Sequence, residues 1–246
     1  MPNSLYVAWQ DQAPRRWQTV ARLGRTGAGY ELVFTKGVSR MRAIPSDLLR
    51  MDVTKQYTSD QLFPIFKNRL PSRNRGDFNK MAEWLNLKGD EDEFTLLSKF
   101  GLIPGTDSLL VYPEPEHDCD IYRIEFFVHG IRHMHPDGMT WCQGMKSGDR
   151  LLPVLDVQNP VDENAVAIRP TDLTVLIGYL PSFYAADVRE LLSQPNFAAK
   201  ARLNLIRLNE DAPSQLRLLC RFECPVPPGF SALKSEDHQP MMDQAA

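Results

Sequence analysis

No stretch of this chain approaches the ~18 consecutive apolar residues that a membrane-crossing helix needs. Its opening, Met1-Pro2-Asn3-Ser4, has neither the basic nor the apolar part of a secretion signal. A cytosolic protein without a membrane partner is the expectation. Cysteine is scarce: Cys119, Cys142, Cys220 and Cys224 are the four, and only the last two lie close together. In a reducing compartment they read as free thiols rather than as a disulfide framework. Positive charge is not in excess either, with 28 Lys and Arg against 31 Asp and Glu and a net charge of −3. Wholesale coating of nucleic acid, which needs many uncompensated cations, is excluded; a local site is not. Neither half of the chain is strongly basic, and no internal repeat is found.

Catalytic machinery is also missing. Gly24-Arg25-Thr26-Gly27-Ala28-Gly29 has the glycines of a phosphate loop but opens no convincing helix and lacks the following lysine. No phosphotransferase Asp motif follows it, and no Ser, Cys or Lys is paired with a base in a known pattern. No enzyme activity and no cofactor are therefore expected. What remains is the composition of a soluble globular protein, 43% hydrophobic and 24% charged over 246 residues, enough for one large domain or two of ordinary size.

The boundary is placed near Tyr112-Pro113-Glu114-Pro115-Glu116-His117-Asp118, where prolines among acids make a stiff, solvated connector. This gives a first domain over 1–116, a second over 117–230, and a flexible tail over 231–246. In the first, Leu5–Trp9 and Tyr30–Phe34 read as strands, with a turn in Gly24–Gly29. Ser59 is placed to cap a helix carrying Leu62, Phe63 and Phe66. Phe78, Met81, Ala82 and Leu85 follow amphipathic helix spacing, and Phe94 and Leu97 with closing Gly101 make a third helix. The fold class is α+β, a small antiparallel sheet with short helices.

In the second domain, Ile121–His129 reads as a strand. Leu152 and Val154 alternate toward a turn made of Asn159, Pro160, Val161, Asp162, Glu163 and Asn164. Ala165–Ile168 and Leu173–Ile177 follow as further strands. A helix begins at Ser182 with Ala185, Val188, Leu191 and Leu192 on one face. Ala201–Leu208 and Gln215–Phe222 close an all-β, OB-like barrel of about six strands with an inserted helix.

Residues from about Tyr122 to Glu223 resemble a HIRAN domain. The resemblance rests on Gly130-Ile131-Arg132, on Asn159-Pro160-Val161-Asp162-Glu163-Asn164-Ala165-Val166, and on Gly178-Tyr179-Leu180-Pro181 leading into a helix. It implies an OB-like barrel that binds DNA, in particular a free single-stranded 3′ end. Carried over by position, Arg132 would contact phosphate and His133 would stack on a base in an aromatic's place. Asp162 would accept from the 3′ hydroxyl. Two positions depart from the family: Val161 stands where an aromatic ring packs on the terminal nucleotide, and Ser182 where a basic residue opens the helix. Losing one base–aromatic stack forfeits about 1–3 kcal/mol, and Tyr179 is positioned to supply a ring instead. Asn159, Asp162 and Asn164 also suit a second role, bracing their own loop through Asx-type bonds to backbone N–H groups.

The first half, from about Leu5 to Pro115, resembles the amino-terminal subdomain of HipA-type toxin kinases. The carrying runs are Leu62–Pro71, Glu83–Leu87, Glu93–Leu97, Gly101 and Gly105–Leu109. With no catalytic lobe following, the resemblance implies a module that docks on such a kinase or on another defence protein. Lys67, Arg69, Arg73, Arg75 and Lys80 form a basic cluster open to phosphates or an acidic partner, or else a solvated loop. Cys220 and Cys224 with His133 and His135 have weak zinc spacing and read better as buried thiols on one strand face. His117, Asp118, Cys119 and Asp120 are a poor nuclease site. The leading expectation is a non-catalytic adaptor in a toxin–antitoxin or phage-defence setting, joining a DNA-binding barrel to a partner-binding module. A stand-alone DNA-end binder in repair is the alternative, with a metal-dependent nuclease third.

Overall fold

The structure, a computed structural model, describes residues 3–10, 17–41, 51–103, 108–118 and 120–241. The chain forms two compact units, Met1–Glu114 with Leu233–Ala246, and Pro115–Ala232. Gly105–Asp107 of the HipA-like run and Cys119 of the imagined nuclease site lie outside the described residues. Among those described, no helix is long and apolar enough to cross a membrane.

The first unit is built on β1 (Ser4–Gln10), β2 (Trp17–Thr26), β3 (Gly29–Phe34), β4 (Gln56–Ser59) and β5 (Leu109–Pro113), with α1 (Pro64–Lys67), α2 (Phe78–Trp84) and α3 (Glu93–Phe100) between the last two strands. The sheet runs β4-β3-β2-β1-β5 and every pairing is antiparallel. Leu5, Val7, Leu23, Leu32 and Phe34 meet Leu62, Phe66, Phe94 and Leu97 in one buried cluster. The apolar positions of Leu62–Pro71 and Glu93–Leu97 thus go into the core.

Several boundaries differ from the expectation. Ser59 ends β4 and its hydroxyl donates to the Gln61 carbonyl oxygen at 2.6 Å. The helix starts at Pro64, because a residue preceding proline is held extended, as Phe63 is at φ −54, ψ 139. Gly101 closes α3 with an ordinary helical φ of −61. Its missing side chain matters for a different reason: a Cβ there would fall within 2.6 Å of Val111 Cβ, where β5 crosses the helix end. Most of the expected connector is ordered, since Tyr112 and Pro113 pair with Tyr6 and Leu5, and Tyr112 is fully buried.

Residues 231–246 do not form a free tail as far as Met241. Leu233 is buried, Lys36 N donates to Gln239 O and Met241 N to Phe34 O, both at 2.8 Å. The His238 ring stands edge-on to Tyr6 at 5.1 Å. Its polar composition suggests solvation, but its partners lie some 200 residues earlier, around Thr35 and Thr19.

The second unit contains β6 (Glu116–Asp118), β7 (Ile121–Phe127), α4 (Pro136–Cys142), β8 (Arg150–Leu155), β9 (Val166–Pro170), β10 (Gly178–Tyr179), α5 (Ser182–Leu192), α6 (Pro195–Ala198), β11 (Arg202–Leu208) and β12 (Leu218–Pro225). Its antiparallel sheet, β10-β9-β8-β11-β12-β7-β6, is a half-barrel. One bridge, His129 to Tyr179, joins the run that continues β7 to the edge strand β10. Of the expected α5 face, Ala185, Val188 and Leu191 are buried. Leu173–Ile177 is not a strand. It packs against α4, where a Cβ on Gly138 would sit 3.2 Å from both Val175 and Ile177 side chains. Helix α4, opened by His135-Pro136, was not anticipated. Cys142, Cys220 and Cys224 are buried free thiols, and burial pushes the Cys142 and Cys224 thiols up to about 11.

Candidate nucleic-acid interface

Two loops converge where the half-barrel closes. The first leaves β7 through Val128 and His129, turns at Gly130 (φ 73) and forms a 3-10 turn over Ile131–His133. His129 and Tyr179 exchange backbone hydrogen bonds of 2.8 and 2.9 Å. This places the Tyr179 ring beside Gly130, whose Cβ would lie 3.7 Å from Tyr179 Cδ2. The His129 imidazole is enclosed against Phe183, and burial depresses its pKa to about 4. It is a neutral structural group. Arg132 and His133 are both exposed, and Arg132 Nε donates to His133 Nε2 at 3.1 Å.

The second loop joins β8 to β9, and Asp156 is its centre. Asp156 Oδ2 accepts from Tyr179 OH at 2.9 Å and from Asn159 Nδ2 at 3.0 Å. Asn159 Oδ1 then accepts from the backbone N–H groups of Val161 and Asp162, each at 3.0 Å. Asp162 Oδ1 accepts from Asn164 N at 2.9 Å. The bracing role foreseen for Asn159 and Asp162 is therefore present, and both polar ends of the Asn159 amide are engaged in it. The second Asp162 oxygen and the Asn164 side-chain amide carry no hydrogen bond among the described residues. Val161, at the loop tip, is 61% exposed.

A continuous line of contacts thus runs from the Gly130 turn, through the Tyr179 ring and Asp156, to Asn159 and Asp162. Burial, followed by the hydrogen bond to Asp156 and its charge, raises the Tyr179 pKa, so the phenol stays a donor at neutral pH. Asp156 was missed as a site residue because it reads as the polar end of an alternating strand. The available signal was a carboxylate three residues ahead of an Asn-Pro turn. Tyr179→Phe removes one hydrogen bond from the network and is expected to cost about 1 kcal/mol, read as a lowered urea midpoint. An unchanged midpoint would show that the network does not hold the loop.

The basic cluster of the first unit is a different matter. Arg69 donates to Leu109 O and Arg73 to Glu91 O, both at 2.6 Å. Arg75 pairs with Asp77 at 2.9 Å, Lys67 lies 4.0 Å from Glu93, and Lys80 sits over the Trp84 ring at 5.5 Å. Arg69 and Arg73 brace their own unit through backbone carbonyl oxygens, while Lys67 and Arg75 pair with acidic neighbours and keep exposed side chains. Runs of like charge in a sequence do not reveal the carbonyl and carboxylate groups that the fold brings to them.

An antiparallel half-barrel with an inserted helix, gathering an arginine, aromatic rings and a braced acidic loop at its closure, defines an OB-like module. Residues 121–226 match the family model of the HIRAN domain, and this stretch carries that domain. Among solved structures, the HIRAN domain of human HLTF is similar at 13% identity and a TM-score of 0.33, over 42% of this chain and 74% of that one. A protein from Lactobacillus plantarum is similar at 16% identity and the same TM-score, over 42% and 96% of the two chains. Likeness at that level places no side chain. No curated protein matches.

Proposed function

We propose that the second unit binds DNA through the closure of its half-barrel and takes a single-stranded 3′ end there without catalysis. The observation that carries this reading is the line from the Gly130 turn to Asp162. It holds an exposed arginine and histidine at one end and a carboxylate with an unused oxygen at the other. In this reading Arg132 binds a phosphate, His133 and Tyr179 flank a base, Asp162 accepts from a terminal hydroxyl, and Asn159, with Asp156, holds the loop in shape. One arginine and a net charge of −3 give few phosphate contacts, so affinity should fall gently with salt, with a log–log slope of about −1.

The test is a fluorescence titration with short oligonucleotides whose 3′ ends are free or blocked. Arg132→Ala and Asp162→Ala should each weaken binding of the free end by about tenfold or more, the worth of one charge-assisted hydrogen bond. If both variants bind as the wild type does, the assigned site is wrong. The first unit, on its HipA-like runs, is read as the part that docks a protein partner such as a HipA-type kinase, which would make the chain an adaptor in toxin control or defence. Recovery of a kinase in a pull-down from the native host supports this, and recovery of repair proteins supports the stand-alone alternative.

A further inference from the structure

Next to the proposed interface lies a cavity that this reading does not use. It has a volume of about 380 Å³ and is lined by Cys142, Gln143, Leu208, Glu210 and Arg217. Ligand clefts run from ~300 to ~1,000 Å³, so it has room for a group the size of a nucleotide. Its walls come from the end of α4, the end of β11 and the residues leading into β12. The 3-10 turn that carries Arg132 and His133 packs on the one over Ser214–Leu216, directly before Arg217. The cavity therefore adjoins the arginine end of the line of contacts described above.

Its charges are set unusually. Arg217 Nε is buried with no hydrogen-bond partner. A cation and a carboxylate line the same cavity, yet Arg217 and Glu210 form no ion pair with each other or with any described residue. A buried guanidinium N–H left unsatisfied is costly, and an occupant offering acceptors would relieve it. Glu210, exposed at the rim, offers its carboxylate to donors on the same occupant. The Cys142 thiol, pushed up to about 11 by burial, stays protonated and with Leu208 supplies an apolar wall.

Among groups that a bound DNA strand could insert, the four bases differ in how well they answer this demand. Thymine and adenine each present a single donor group. Cytosine offers one donor group and two acceptors. Guanine alone presents two adjacent acceptors, O6 and N7, that fit a guanidinium fork, together with two adjacent donors, N1–H and N2–H₂, that fit a carboxylate. Bases of single strands are commonly splayed out of the stack and read on such edges. We propose that this cavity is a guanine-reading pocket for a strand held at the half-barrel closure, Arg217 taking O6 and N7 and Glu210 taking N1–H and N2–H₂. The inference rests on the DNA-binding reading of the second unit.

The test uses fluorescence anisotropy with the full chain and a labelled thymidine strand bearing a free 3′ hydroxyl, alongside strands with a single dG at each of the second to sixth positions from that end. One dG position should bind about tenfold tighter than all-thymidine, the discrimination expected of a good bidentate contact. The gain should be lost with 7-deazaguanine, which lacks N7, with inosine, which lacks N2, and in the Arg217→Ala and Glu210→Gln variants. Binding of the all-thymidine strand by those variants should be unchanged, which also shows them folded. If the wild type binds thymidine but gains nothing from dG at any position, the pocket proposal is overturned while the DNA-binding reading stands. If no strand binds the wild type, both fall.

Discussion

Gly178→Ala is expected to open the half-barrel and to lower the unfolding free energy of the second unit by about 3–5 kcal/mol. Two causes combine at this position. The backbone has φ 151, a region that L side chains rarely adopt, and an added Cβ would land on Val128 Cγ1 and 2.5 Å from the His129 carbonyl oxygen. That oxygen accepts from Tyr179 N in the bridge that joins β10 to the run continuing β7. The methyl group cannot be accommodated by a flexible side chain moving aside, because one of its neighbours is backbone. The strand end must shift, and with it the Tyr179 ring and its bond to Asp156. Hydrogen exchange should therefore show lost protection at the Tyr179 and His129 amides, a lower urea midpoint and weaker DNA binding together. Gly144→Ala is the control, since a Cβ there meets nothing closer than 3.8 Å. If Gly178→Ala is as stable as the wild type, the closure does not depend on this contact.

What could be read in advance follows from how local each signal is. The paired strands β11 and β12 and helix α5 were legible because their apolar periodicities are self-contained. So was the Asn159 loop, since an Asn-Pro-X-Asp turn carries its own hydrogen-bond chemistry within a few residues. Strand β2 went unread, although it pairs with β1 and β3 and lies at the centre of its sheet. Its half-buried Arg22 and Arg25, with Thr26, interrupt the apolar pattern. Leu173–Ile177 looks like a strand by composition, yet its partner is a helix, and only tertiary packing decides between the two. The site was legible residue by residue but not as a network. Asp156 earns its importance from Tyr179, 23 residues later, and Arg217 from a cavity whose walls come from three separate segments. The hydrogen bonds of Arg69 and Arg73 were hidden for the same reason, since the carbonyls they reach belong to Leu109, Gly89 and Glu91.

Mild acid is expected to loosen the first unit before most of its carboxylates titrate, and His238 is the cause. Its ring lies between Tyr112 OH at 2.9 Å and Ser235 Oγ at 2.7 Å, with Thr19 Oγ1 at 3.4 Å. Burial depresses its pKa to about 4, against a smaller opposing pull from Asp237, which is itself paired with Arg40. In the unfolded chain the same group titrates near ~6.5. Between those values the unfolded state binds the proton and the folded state does not, so stability is full above pH ~6.5 and falls as pH drops toward 4. From pH 7 to pH 5 the loss comes to about 2 kcal/mol, a large share of the ~5–15 kcal/mol that typically holds a domain together. The segment at risk is the one that returns to the sheet through Gln239 and Met241. His129 adds a similar dependence to the second unit, so the two must be separated by hydrogen exchange on β1–β3 and on β7 and β12. His238→Gln cannot titrate: the first unit should be weaker at pH 7 in this variant, yet lose little more between pH 7 and pH 5. An undiminished acid loss in β1–β3 of that variant would assign the effect to another group.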